Sequence, residues 1–438
     1  MMRRLVWMFA LAAVWIPQAH AQNGAVLFEG ARLIVGDGSA PIENSAFLME
    51  NNRFTRVGKK GSIQAPAGAA RVDLTGKTVM PALVDAHVHL GWTQLKTGTI
   101  NKDTYSKENL ADHLRILGYY GIAAAFNMGI DPGDAAFQIR AEPVPGGALL
   151  RTAGRGMALP NAGPGQEYWR PVAYGVSTEA EARKAVDELA AKKVDWVKMW
   201  VDDRDGTVPK LPPAIYKAII DEAHKRGLRA VAHIYYLADA KELLRSGIDG
   251  FMHMVRDRDV DDEFIQLFKQ HRNVFVTPNL PDKGTSAEDF AFMGETLPAA
   301  EVKRLRDIAA NQTPAAAKTA REFFDVQARN LAKYNAAGVR IGFGTDSSRT
   351  VGWDAHQELA DMVTAGMTPM QVITAATKTS AEIMKLDQLG TVAAGKSADF
   401  IVLDANPLDN IMNTRKISRV YIRGKALDRA ALSAGWTH

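Results

Sequence analysis

His87 and His89 stand two residues apart in MPALVDAHVHLGW. On an extended strand alternate residues share a face, so both imidazoles can converge on one ion. Imidazole is a common ligand for zinc and its divalent neighbours. Alone, the pair also fits two partly buried histidines that happen to alternate. Three more candidates end other apolar runs: KRGLRAVAH closes on His233, RSGIDGFMH on His253 and NAAGVRIGFGTD on Asp346. The sixth is Lys198, inside VDWVKMWV. Lysine is almost never fully buried without a partner. A salt bridge, a neutral amine of depressed pKa and a carbamate formed with carbon dioxide all compete to explain it, as does a strand end whose ammonium snorkels to water. Beside four histidines the carbamate reading is preferred, because its two oxygens can bridge two metals about 3.5–4 Å apart. His87, His89, Lys198, His233, His253 and Asp346 then supply the ligands of two divalent ions.

The elements that must position these groups repeat one pattern. A helix stops at Gly227, Gly247 or Gly338, an apolar run follows, and a ligand candidate stands at its end. Thr178 and Glu181 have capping-box spacing at the head of a helix over residues 178–192, and Thr368, Pro369 and Gln371 repeat the signal. Strands are expected at 82–89, 121–127, 147–152, 194–201, 229–235, 249–254, 273–277 and 339–345. Eight strands alternating with helices predict an α/β fold, a (β/α)8 TIM-type barrel over residues 81–387, with the ligands at the carboxyl ends where such barrels carry their sites. Residues 279–337 read as a helical excursion before the last strand. Residues 24–80 and 388–431 alternate in short runs and predict one discontinuous β-sandwich domain.

Composition excludes several alternatives. The chain has no cysteine, so thiolate metal sites and cysteine nucleophiles are absent. Arg3 and Arg4, the apolar run Leu5 to Ile16 and Ala19-His20-Ala21 read as a signal peptide cleaved after Ala21. That predicts a secreted or periplasmic protein with no stable membrane span, since a bilayer needs about 20 apolar residues. Without Arg3 and Arg4 the 53 basic residues fall to 51 against 49 acidic ones, a balance unlike that of a nucleic-acid binder. A small-molecule or short-peptide substrate is expected, and a homo-oligomer is compatible with the sequence.

Taken together, VDAHVHLG, VDWVKMW, AVAH, GIDGFMH, GFGTD and GTVAAGKSADFIVLDANPL occur in an order that resembles the amidohydrolase superfamily, in its imidazolonepropionase-like and prolidase-like group. The resemblance implies a binuclear, zinc-type centre that hydrolyses amides, esters or related bonds. It places His87, His89 and Asp346 on the more buried metal, His233 and His253 on the second, and N6-carboxylated Lys198 between them. A hydroxide shared by the metals would attack the carbonyl, and Asp346 would carry its proton to the leaving amine. The chain departs from the group at Asn127 and at LPNAGPG, where Pro164 replaces a histidine.

Aromatic residues crowd the expected mouth: Trp92, Tyr168, Trp169, Trp200 and Trp353. Such walls favour apolar or aromatic ligands, so a hydrophobic N-acyl amino acid, peptide or aromatic amide is the expected substrate. Tyr235 is a candidate donor to a substrate carbonyl, and His356 a residue within reach of the site. Arg256 is a candidate partner for a substrate carboxylate, with Asp257 and Asp259 as rival local partners. An esterase or lactonase on the same metals, or a non-catalytic binding relative, are the alternatives to an amidase.

Overall fold

The computed structural model describes residues 24–280, 286–349 and 351–437. The signal segment lies outside the described residues. Parallel strands form at Leu83–Val88, Ile122–Asn127, Leu149–Thr152, Trp196–Val201, Arg229–Ile234, Gly250–Met252, Phe275–Thr277 and Arg340–Ile341, each overlapping an expected run. Helices separate most of them, including Glu179–Ala191 and Pro213–Lys225. The first, second and fourth of these strands are buried at every position, as strands covered on both faces must be.

The last strand corrects the sequence expectation. It spans only Arg340–Ile341, whereas 339–345 was expected. Beyond it the ladder becomes irregular. Phe343 N–H donates to Ser380 Oγ at 2.8 Å, and the N–H groups of Thr345 and Asp346 both donate to the His87 carbonyl at 3.2 and 2.8 Å. Gly344 permits this approach, since a Cβ there would lie 2.8 Å from His87 Cβ. The excursion before it is helical, in Ala287–Met293, Ala299–Ala310 and Pro314–Ala336.

The flanking segments meet. The sheet of Val26–Glu29, Ser45–Glu50, Arg53–Lys59 and Ala70–Asp73 faces another that pairs Thr78–Pro81 with Phe400–Leu403. Their shared core is aromatic. Phe28 stacks on Phe47 at 4.8 Å and meets Phe400 edge-on at 5.3 Å, while Phe400 stacks on Tyr421 at 4.3 Å. Residues from both chain ends therefore bury one another.

A second long-range tie joins Arg415 to Asp289 and Gln357. The arginine and aspartate side chains are only 8% and 4% exposed. Replacing Arg415 by alanine would strand a buried carboxylate, and the expected cost is about 3 kcal/mol of stability. Thermal unfolding should show a clear drop in Tm for Arg415→Ala, and a smaller one for the Asp289→Ala/Arg415→Ala pair than two independent losses would give.

Candidate metal centre

The strand that carries Lys198 is layered. Trp196 stacks on Phe126 at 4.0 Å and touches Phe275 at 5.3 Å, forming an apolar floor. Lys198 comes two residues later on the same face, and Trp200 two beyond it at the cavity wall. Gly129 packs against the lysine stem, where a Cβ would stand 2.8 Å from Lys198 Cγ. The side chain is fully buried, and among the described residues Nζ has no hydrogen-bond partner. Burial pushes the ammonium down to about 7; Asp346 opposes that shift, while Arg204 and Arg256 add to it. A strand end with its ammonium in solvent, and a salt-bridged lysine, are both at odds with this arrangement.

His87, His89 and Asp346 come together, with ligand atoms of all three within 4.8 Å of one another. Asp346 Oδ1 lies 3.3 Å from His87 Nε2 and 3.1 Å from His89 Nε2, and Oδ2 lies 3.8 Å from His253 Nε2. The His253 ring centroid is 5.0 Å from that of His87 and 4.5 Å from that of His233. Burial holds His87 and His253 well below the usual imidazole range, so both are neutral near pH 7. Burial alone would raise Asp346, but His87, His89 and Arg256 hold it far below the usual carboxylate range. Neutral imidazoles and an ionised carboxylate are the protonation states that metal binding requires. His87 Nε2 and Lys198 Nζ are buried without a hydrogen bond among the described residues, so this donor set fits a divalent metal centre.

The outer contacts decide which nitrogens face inward, and most were not singled out from the sequence. Asn279 Oδ1 lies 3.1 Å from His87 Nδ1, and Asp202 Oδ2 lies 3.0 Å from His233 Nε2. Arg204 Nη1 braces Asp202 at 3.1 Å. Asp85 accepts from His87 N–H at 3.0 Å and from Thr345 Oγ1 at 2.8 Å, tying the first and last ligand segments together. A legible signal existed: Asp202, Arg204 and Asn279 all follow strand ends, as the histidines do. His253 and Asp346 carry φ of 93° and 59°, left-handed values that non-glycine residues hold only when their surroundings impose them.

A cavity of about 210 Å³ opens above the cluster, lined by His89, His233, His253 and Asp346 with Ile130, Pro164, Trp169, Trp200, Arg204 and Arg256. Not all of the expected wall is here. Trp92 is buried behind it, its indole donating to the Ile130 carbonyl at 3.1 Å. Trp353 lines a separate cavity of about 230 Å³ on the other side of Asp346. Tyr235 is absent from the lining, and its ring stacks over Phe323 at 6.4 Å. His356 is fully buried and bonded to Thr414 Oγ1 at 3.0 Å and the Tyr120 carbonyl at 2.9 Å. Its helix turns it away from the site, so its reach into the site is corrected. Arg256 lines the cavity and contacts His253 Nδ1.

Because Asn279 fixes the tautomer of His87, Asn279→Ala is expected to weaken divalent-metal affinity by about 10–100-fold. Competition with a chromophoric chelator would measure it, and unchanged affinity would leave Asn279 a packing residue.

Comparison with known proteins agrees with this fold. A protein of Mycobacterium tuberculosis described as uncharacterized is 28% identical over 319 residues, covering 71% of this chain and 75% of the relative. A Xaa-Pro dipeptidase structure with bound methionine superposes with a TM-score of 0.73 at 21% identity, covering 92% of this chain and all of that one. Phenylurea hydrolase B superposes with a TM-score of 0.75 at 21% identity, covering 94% and 98%. At these identities the structures speak for the fold. Residues 78–427 match the Amidohydrolase family, to which this chain belongs as a hydrolase of carbon–nitrogen amide bonds.

Proposed function

We propose that the chain is an exported amidohydrolase whose centre holds two divalent ions, zinc foremost, bridged by N6-carboxylated Lys198. In this reading residues 81–387 form a closed (β/α)8 barrel and residues 24–80 and 388–431 a β-sandwich. The observation that carries it is the buried Lys198 Nζ, without a hydrogen bond among the described residues and facing Trp200, a wall residue of the cavity that His89, His233, His253 and Asp346 also line. Carbamylation removes the buried cation and supplies an anionic pair of oxygens where burial otherwise opposes charge.

When bound, the ions polarise the substrate carbonyl and make water acidic enough to ionise near neutral pH. The chain's own residues do the rest. Asp346, reached by His87 and His89, takes the proton of the attacking water and passes it to the leaving nitrogen. Ile130, Trp169 and Trp200 give the cavity an apolar wall for the hydrophobic or aromatic part of an N-acyl amino acid, peptide or related amide.

A broad amide and ester screen of protein reconstituted with metal and bicarbonate tests the reading. Chelator-sensitive hydrolysis of amides, with about two metals per chain, is the expected result. Protein that binds no divalent metal and hydrolyses nothing would defeat it.

A further inference from the structure

We infer that Arg256 and Arg204 form a carboxylate subsite on the leaving-amine side of the centre, so that the substrate is an N-acyl amino acid or short peptide with a free C-terminal carboxylate. The inference rests on the amide-hydrolase reading above.

Arg256 follows the strand Gly250–Met252, and Arg204 follows Trp196–Val201. Both reach the same 210 Å³ cavity, from strand ends on either side of Arg229–Ile234. The local partners that would neutralise Arg256 are taken. Asp257 accepts from Leu237 N–H at 2.9 Å and Arg258 Nε at 2.6 Å, and Asp259 pairs with Arg329 at 2.8 Å. Among the described residues no carboxylate makes an ion pair with Arg256. Its Nε is buried without a hydrogen-bond partner, as is that of Arg204. Arg204 is held in place by Asp202 and by the Gly163 carbonyl at 3.0 Å, so its guanidinium is already ordered before a ligand arrives.

An arginine guanidinium stays protonated at any pH the enzyme meets. A guanidinium that lines the cavity with a buried Nε and no carboxylate partner among the described residues calls for an anion there, and a planar carboxylate suits its fork. The orientation follows from Asp346, which lines the same cavity as Arg256. Since Asp346 delivers the proton to the leaving nitrogen, an anion beside Arg256 belongs to the amine half of the substrate. Ile130, Trp169 and Trp200 are left for the acyl half. The cavity is small by ligand-site standards, which are about 300–1,000 Å³. That limits the substrate to one short acyl group and one or two residues.

The test pairs N-benzoyl-L-alanine with N-ethylbenzamide, which offers the same scissile amide without the carboxylate, and extends the pair over several acyl groups. Wild-type metal-loaded enzyme should prefer the acids by about 30-fold or more in kcat/KM, as loss of a charged hydrogen-bond partner predicts. In Arg256→Gln that preference should fall to within about threefold, chiefly through KM. Equal rates on both members in wild type would overturn the subsite and leave the amidase reading intact. If neither member turns over, the amidase reading fails, and calorimetric binding of N-benzoyl-L-alanine decides the subsite: at least about 30-fold weaker binding by Arg256→Gln supports it, and equal binding overturns it.

Discussion

Lys198→Ala protein is expected to lose at least about 10⁴-fold in kcat and to retain about one metal or fewer per chain. The size of the effect follows from its place. Lys198 is fully buried, its stem packed on Gly129 and its Nζ 5.4 Å from the centroid of the Trp200 ring, and no group among the described residues hydrogen-bonds to that Nζ. Truncation leaves an apolar hole where the reading requires two anionic oxygens. A short carboxylate such as propionate in the buffer should restore part of both metal content and activity, because it offers the same two oxygens in that hole. Lys198→Met, of similar volume, should fold and remain inactive with or without propionate. Full activity in Lys198→Ala would remove the lysine from the mechanism altogether.

The same residue sets a pH dependence. Its folded value of about 7 lies below the ordinary 10.5. Only the neutral amine condenses with carbon dioxide, so reconstitution with metal and bicarbonate should improve as pH rises through about 7. For the metal-free protein the sign is the same: the unfolded chain binds more protons between these two values, so stability rises with pH across that window. The penalty is fully present below about pH 7 and gone above 10.5. Reconstitution followed by metal analysis at pH 6 and pH 8 measures the first effect.

Much of this centre was legible because strand ends announce themselves. Glycine stops and apolar runs locate the carboxyl ends of parallel strands, and His87, His89, Lys198, His233, His253 and Asp346 all stand at or near them. What the sequence concealed is direction. Past a strand end no period tells which way a side chain turns, so Trp92, Trp353 and His356 looked equivalent to Trp169 and Trp200. In the fold, the helix Trp353–Thr364 sends His356 into a buried gap against Thr414, and Trp92 packs behind the wall. The last strand is shorter than its apolar run for a related reason. Its apolar run is real, but the chain bends so that two N–H groups share the His87 carbonyl, which places Asp346 beside the imidazoles at the cost of a regular ladder. Asn279, Asp202 and Asp85 were hidden differently. Their place after strand ends was visible for Asn279 and Asp202, but the contacts of Asn279 with His87, Asp202 with His233 and Asp85 with Thr345 join residues remote in sequence, and only the fold shows them.

Asp346→Asn should lower kcat by about 10³-fold, within the range of a positioned general acid–base, while keeping most of the metal affinity. Asparagine keeps the shape and one ligating oxygen but cannot hold the proton between attack and departure. The loss should therefore depend on the leaving group. With an anilide whose nitro-substituted amine departs without prior protonation, the variant should recover a large part of the deficit; with an alkylamine or amino acid leaving group it should not. A purely structural role for Asp346 predicts the same loss for both substrates, together with a metal content that falls in step with activity. Asp346 touches His87 and His89 and adopts a left-handed backbone that asparagine tolerates well, so the substitution spares the fold. Equal losses on both leaving groups at full metal occupancy would assign the proton transfer to another group in the cavity.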